Sequence, residues 1–168
     1  LVINGDSIQN GTFTKEVTNN GTIRDGTFRG TVTNNGTVDT GTFTGPVLNA
    51  KDATLKGGTF TGPVTNNGRI VGSEAMFTGP VTNRGTVESG TFMESVTNYG
   101  TLMGGTFSSE VRNGTDPENE EHSGTICFST ESDVYTPPLF TETSTVYNMG
   151  TAKILDGTFL GTVIGMVE

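Results

Sequence analysis

Apolar side chains in this chain stand alone or nearly so between polar neighbours, and they recur in three columns. The phenylalanines set the register: Phe13, Phe28, Phe43, Phe60, Phe77, Phe92 and Phe107 follow one another at intervals of 15, 15, 17, 17, 15 and 15 residues, and Phe159 resumes the column further on. Four residues after each comes a valine: Val17, Val32, Val47, Val64, Val81, Val96, Val111 and Val163. Ile23, Val38, Leu55, Ile70, Val87 and Leu102 form the third column. Val2, Asn4 and Ile8 lead into Phe13 in the same order.

No 3.6-residue stripe runs through this pattern, so it does not read as helix. Each anchor sits in a tripeptide such as Thr12-Phe13-Thr14 or Glu16-Val17-Thr18, apolar in the middle and mostly polar at its flanks. That is a very short strand whose central side chain points inward. Three such strands per unit, with Gly and Asn between them, predict a triangular coil. Parallel stacking of coils then aligns the Phe residues in one internal ladder and the Val and Ile residues in others. The fold class expected is all-β: a single-domain parallel β-solenoid over residues 1–168, with 15–17 residues per coil and right-handed winding. Ten or so coils at about 4.8 Å each make a rod on the order of 45–50 Å long.

A polar column accompanies the apolar ones. Asn19, Asn34, Asn49, Asn66, Asn83, Asn98 and Asn113 each lie two residues after the valine; Asn148 follows Val146 likewise, and Gly165 breaks the rule after Val163. An inward Asn at a corner supplies hydrogen bonds to turn groups that have no ladder partner. Pro46, Pro63 and Pro80 stand just before valines and mark strand starts, because proline has no N–H for a ladder. The 17-residue units carry their two extra residues between Asn and Phe, as a small bulge on a corner.

The register is lost from Asn113 to Thr145. This stretch holds seven of the eighteen acidic residues, half of the prolines, the only His and the only Cys, and neither Lys nor Arg. It reads as one or two coils carrying long loops, with 116–123 looping out first; Ile126, Phe128 and Phe140 are unassigned candidates for core slots. An irregular acidic insertion on a regular scaffold is where function tends to sit. The stretch therefore supplies the candidate site residues. Tyr135, Phe140 and Tyr147 are candidate stacking surfaces for a sugar. Asp116, Glu118, Glu120 and Glu121 are candidate oxygen ligands for a cation, although their loop lacks the ordered alternation and glycine of a calcium loop. His122 has no second histidine to act with and reads as a surface residue, while Cys127 in the alternating Thr-Ile-Cys-Phe-Ser reads as a buried thiol.

Composition narrows the function classes. The net charge is −9, which argues against nucleic acid and anionic lipid as partners. One cysteine allows no disulfide framework. No apolar run approaches the length of a membrane span, and no membrane insertion is expected. Glu16, Asp39, Glu88 and Glu110 fall in different columns, so no carboxylate pair recurs in neighbouring coils to suggest acid–base catalysis; no enzyme activity and no cofactor is expected. Paired threonines at Thr12/Thr14, Thr42/Thr44 and Thr59/Thr61 resemble the ice-binding arrays of insect-type antifreeze β-solenoids, but the array fails at Thr27/Arg29, Met76/Thr78 and Thr91/Met93. The Asn-Gly-Thr sequons at Asn10, Asn20, Asn35 and Asn113 read as by-products of the repeat.

The units NNGTIRDGTFRGTVTNNGTV and GGTFTGPVTNNG resemble the Gly-Thr-Phe/Val-Thr-Asn-Asn-Gly repeats of large secreted or cell-surface bacterial proteins. The resemblance covers about residues 1–113 and 146–165. It implies an adhesin-like, extracellular or cell-surface region of a longer protein, and it brings no catalytic residues with it. The leading expectation is a structural module that acts as a rigid spacer or presents a binding loop, with a carbohydrate or a host or cell-surface protein as partner. A carbohydrate-binding or carbohydrate-cleaving β-helix and an ice-binding solenoid stand as alternatives. The uncapped ends expected from the first and last coils suggest end-to-end self-association.

Overall fold

The computed structural model describes residues 1–127 and 136–165. Among these residues the chain is all β: a parallel solenoid of nine complete coils and the first strand of a tenth. Each coil contributes a strand of three or four residues, Val-x-Asn in every coil but the last, to one ten-stranded sheet. Its other two strands, carrying the third apolar column and the Phe column, belong to a sixteen-stranded sheet. These two rows are separate in most coils. They merge where Thr54–Phe60 and Arg69–Phe77 each run through the corner as one strand. No helix among the described residues is long and apolar enough to cross a membrane.

The register is that of the sequence columns. Val17 pairs with Val32 and Asn19 with Asn34, Ile23 with Val38, and Phe28 with Phe43, and the same matching continues along the rod. All three apolar columns are buried from coil 2 to coil 8. The Phe rings stack face to face from Phe13 to Phe159, with centroids 4.5–5.0 Å apart and planes within 16° of parallel. A stacked ring spans one coil spacing, so the side chain that fills the core also matches the strand repeat.

The asparagines form the second internal ladder. From Asn19 to Asn148, each Nδ2 donates to Oδ1 of the next Asn at 2.7–2.8 Å. The same Nδ2 reaches a carbonyl of its own corner, as Asn66 does to Gly68 O at 3.2 Å. A donor and an acceptor on one planar amide thus satisfy both the corner and the neighbouring coil. Glycine opens the Phe strands for a steric reason. At Gly41, φ is 136°, and a Cβ would stand 3.1 Å from the carbonyl oxygen of Gly26 in the coil before it.

Pro46, Pro63 and Pro80 immediately precede the strands at Val47, Val64 and Val81, and their carbonyls accept from Val32, Val47 and Val64 of the preceding coils. The two extra residues of the longer units fall in different places. In coil 4 they make the turn Ala50–Ala53, with Asp52 at φ 70°. In coil 5 they lengthen the continuous strand Arg69–Phe77, shifting its register against the strand before it between Leu55 and Gly57.

The irregular stretch keeps the register in its core. Ile126 takes the third-column slot above Leu102, and Phe140 takes the Phe slot above Phe107. The columns vanish from the sequence between Asn113 and Thr145 because insertions separate anchors that stay adjacent in space. The first insertion is an antiparallel hairpin, Thr115–Asp116 with Asn119–Ser123, closed at its base by Gly124 N donating to Gly114 O at 2.8 Å.

Candidate functional site at the docked hairpin

One corner of the rod departs from the repeat. The residue after each inward Asn forms an outer corner column: Asn20, Asn35, Ala50, Asn67, Arg84, Tyr99, Gly114 and Met149. Backbone bonds show these positions to be equivalent, since Tyr99 N donates to Asn83 O, Gly114 N to Asn98 O and Met149 N to Asn113 O. In the regular coils the column is small and polar, and Asn35 Nδ2 donates to Asn20 Oδ1 at 2.8 Å. From coil 6 onward it reads Arg, Tyr, Gly, Met, and the hairpin lies against that run.

Arg84 fastens the hairpin. Its Nε donates to Asp116 Oδ2 at 2.6 Å, and its Nη2 reaches Glu118 Oε2 at 2.9 Å. Asp116 is buried and also accepts from Glu118 N at 3.0 Å. The hydrogen bond from Arg84 holds the Asp116 carboxyl below its ordinary range against the opposing effect of burial, with the Glu118 N–H and the charges of Arg84 and His122 acting in the same direction as the hydrogen bond. Arg84 is raised in turn, first by its bond to Asp116. The guanidinium also lies over the Tyr99 ring, 5.5 Å from its centroid. On the other side, Thr115 Oγ1 meets Thr151 Oγ1 at 3.1 Å, and Thr151 Oγ1 donates to Ser123 Oγ at 3.0 Å. The hairpin is therefore held to coil 6 by charge and to coil 9 by hydroxyls.

Two grooves flank it, and Tyr99 lines both. The first, of about 380 Å³, is lined by Thr97, Tyr99, Arg112, Gly114, Pro117 and Met149 among others. The second, about 290 Å³, lies between Arg84 and Tyr99 on the rod and Glu121 and His122 on the hairpin.

The candidate residues read from the sequence are distributed differently from expectation. Phe140 is not a surface platform. It is fully buried, and both ring faces are covered by Phe107 and Phe159 at 5.0 and 4.5 Å. Tyr147 is half-buried on the outer face of the Val-x-Asn sheet, in register with Arg112. Tyr135 and Phe128 lie outside the described residues. The four acids do not converge: Asp116 and Glu118 are taken by Arg84, while Glu120 and Glu121 are exposed on the return strand. Among the described residues, no three His, Cys, Asp or Glu groups gather in a way that could hold a metal ion. His122 is exposed. Cys127 is half-buried rather than buried, and burial, aided by the charge of Asp156, raises its thiol above the ordinary range.

Of the other carboxylates named from the sequence, three are paired one by one along the rod, Asp39 with Lys56 at 3.1 Å, Glu88 with Arg69 and Glu110 with Arg112, while Glu16 is exposed. The threonine columns do form on the outer faces. Thr22, Thr37, Thr54, Thr86, Thr101 and Thr125 align, interrupted by Arg69; Thr12, Thr27, Thr42, Thr59, Thr91 and Thr106 align, interrupted by Met76.

Arg84 and Tyr99 were not singled out by sequence reasoning, though a signal was there. They are the two places where Asn-Asn-Gly becomes Asn-Arg-Gly and Asn-Tyr-Gly, and they stand in the coils onto which the hairpin folds. No protein-family model, curated protein or solved structure matches the chain.

Proposed function

We propose that this chain is a rigid structural module of an extracellular or bacterial cell-surface protein, a rod that spaces and presents the hairpin on its side. The observation that carries this reading is continuity of both ladders through the irregular region. Asn98 bonds Asn113 and Asn113 bonds Asn148 across the hairpin, while Phe107, Phe140 and Phe159 stack without a gap. The insertion is carried by the rod without interrupting what makes it stiff. Each coil is stabilised through its neighbours, so bending means opening a stacked and hydrogen-bonded interface. The adhesin-like repeat resemblance supports the surface setting, and a host or cell-surface protein or glycan is the partner class that such a module would meet.

The test combines shape with location. Small-angle scattering and negative-stain microscopy should show an elongated particle whose length is unchanged when residues 115–123 are deleted. Antibody against the folded module should label intact cells of the producing organism. A particle that shortens or softens on deletion, or an antigen confined to the cytoplasm, overturns the reading.

A further inference from the structure

The corner column lacks a side chain at the position next to an aromatic ring. Arg84 covers Tyr99 on the coil 6 side. On the coil 8 side the equivalent residue is Gly114, which has no side chain, and the column resumes only with Met149 in coil 9. A Cβ at Gly114 would meet only Met149, with its Cε at 3.5 Å. Tyr99 and Met149 thus form two walls of a slot whose backbones stand two coil spacings apart, roughly 9.5 Å. The Met149 side chain leans toward Gly114 and takes part of that spacing, and the groove of about 380 Å³ that remains beside Tyr99 is large enough for one ring-sized group.

The rim differs in character from the walls. Thr97, Thr115 and Arg112 are the polar residues that line it, the Thr115 hydroxyl also meeting that of Thr151. Arg112 uses Nε to bond Glu110, and among the described residues its Nη groups make no hydrogen bond. Pro117 of the hairpin covers one side. Apolar walls one ring apart, with several polar groups only at the edge, suit a ligand that is apolar on its faces and hydroxylated around its rim.

We propose that this slot binds a single pyranose unit of a neutral glycan, its carbon face against Tyr99, its other face toward Met149, and its hydroxyls on Thr97, Thr115 and the Nη groups of Arg112. Neutral sugars are favoured over acidic ones because the chain carries a net charge of −9 and Glu110 already neutralises Arg112. The site deepens the structural reading, on which it rests only for the fixed spacing of the walls. The rod survives as a rod if no sugar binds, so failure here and failure there give different results.

The slot is open, and binding of one sugar unit is expected on the order of millimolar. The probes are methyl glycosides and short oligosaccharides of glucose, galactose, mannose and N-acetylglucosamine, screened on an array and then titrated against the whole chain by NMR. Expected are shifts in the amides of Thr97, Tyr99, Gly114 and Thr115 and in the Met149 methyl. Gly114→Leu should abolish them by filling the slot; Gly114 has no positive φ, so the backbone accepts the change. Tyr99→Phe should bind within about threefold of the parent and Tyr99→Ala about tenfold more weakly, since the ring face and not the hydroxyl makes the contact. Tyr99→Ala also loosens the Arg84 contact, which is why Gly114→Leu is the deciding variant. The proposal is overturned if none of these sugars shifts the slot, or if Gly114→Leu binds as the parent does.

Discussion

Arg84 and Asp116 lie 32 residues apart and form the ion pair that holds the hairpin to the rod. The pair is asymmetric: Asp116 is buried, while the Arg84 side chain is 24% exposed. Removing the arginine therefore strands a buried carboxylate, whereas removing the aspartate leaves a partly exposed cation that still has Glu118 as partner.

Arg84→Asn restores the residue that the repeat uses at this corner. It should leave the solenoid folded and weaken hairpin docking by about 1–3 kcal/mol. Hydrogen exchange at Asn119–Ser123 should rise while exchange along the Asn ladder stays put. Global unfolding at lower denaturant with no local change would contradict this.

Hairpin docking should depend on pH with a defined sign. Asp116 has a folded-state value depressed below that of the free side chain. Its stabilising contribution is fully present above the free carboxyl range, about pH 4, and is lost as pH falls through the depressed value. The NMR signals of the Asp116 carboxyl and of the Arg84 guanidinium bonded to it should therefore be steady from neutral pH down to about pH 4 and change below it. Asp116→Asn should remove that transition.

Phe60→Ala should cost about 3–5 kcal/mol in urea unfolding. Phe60 is fully buried, with Phe43 and Phe77 at 4.7 and 4.8 Å, so truncation leaves a ring-sized void between two rings that the strand spacing keeps apart. Phe13, only partly buried beside a single ring, should tolerate Ala at lower cost.

Asn66→Ala should destabilise by about 1–3 kcal/mol and Asn67→Ala by less than about 0.5. Asn66 is buried, accepts from Asn49 and donates to Asn83, each at 2.7 Å. Its neighbour Asn67 is half-buried in the outer corner column, and no hydrogen bond of its side chain is seen among the described residues. Equal small losses in denaturant midpoint at both positions would remove the ladder from the account of stability.

Deletion of 115–123 should be nearly silent for the rod. It leaves Asn113-Gly114-Gly124-Thr125-Ile126, with the same spacing from Asn to the third column as Asn98-Tyr99-Gly100-Thr101-Leu102. The thermal transition should shift little; loss of cooperativity would mean that the hairpin stabilises the core.

The columns settled the coil, the two internal ladders and the register because each is a nearest-neighbour relation. Phe43 meets Phe60 because the chain returns to the same place once per turn, and a periodic sequence records that return directly. Asn19 to Asn34 is the same statement for a polar group. Where insertions break the period, the record is lost: Phe140 looks like a free aromatic in the sequence because 33 residues separate it from Phe107, although it stacks on that ring at 5.0 Å. Which way a hairpin folds depends on long-range charge and shape, and no local pattern specifies it. Only the tertiary structure could bring Asp116 back to Arg84, remove it from a supposed cation site, and set Tyr99 under the Arg84 guanidinium and between two grooves. The sequence determined the scaffold by repetition; the docked hairpin and its grooves arise from single, unrepeated contacts that exist only once the rod has formed.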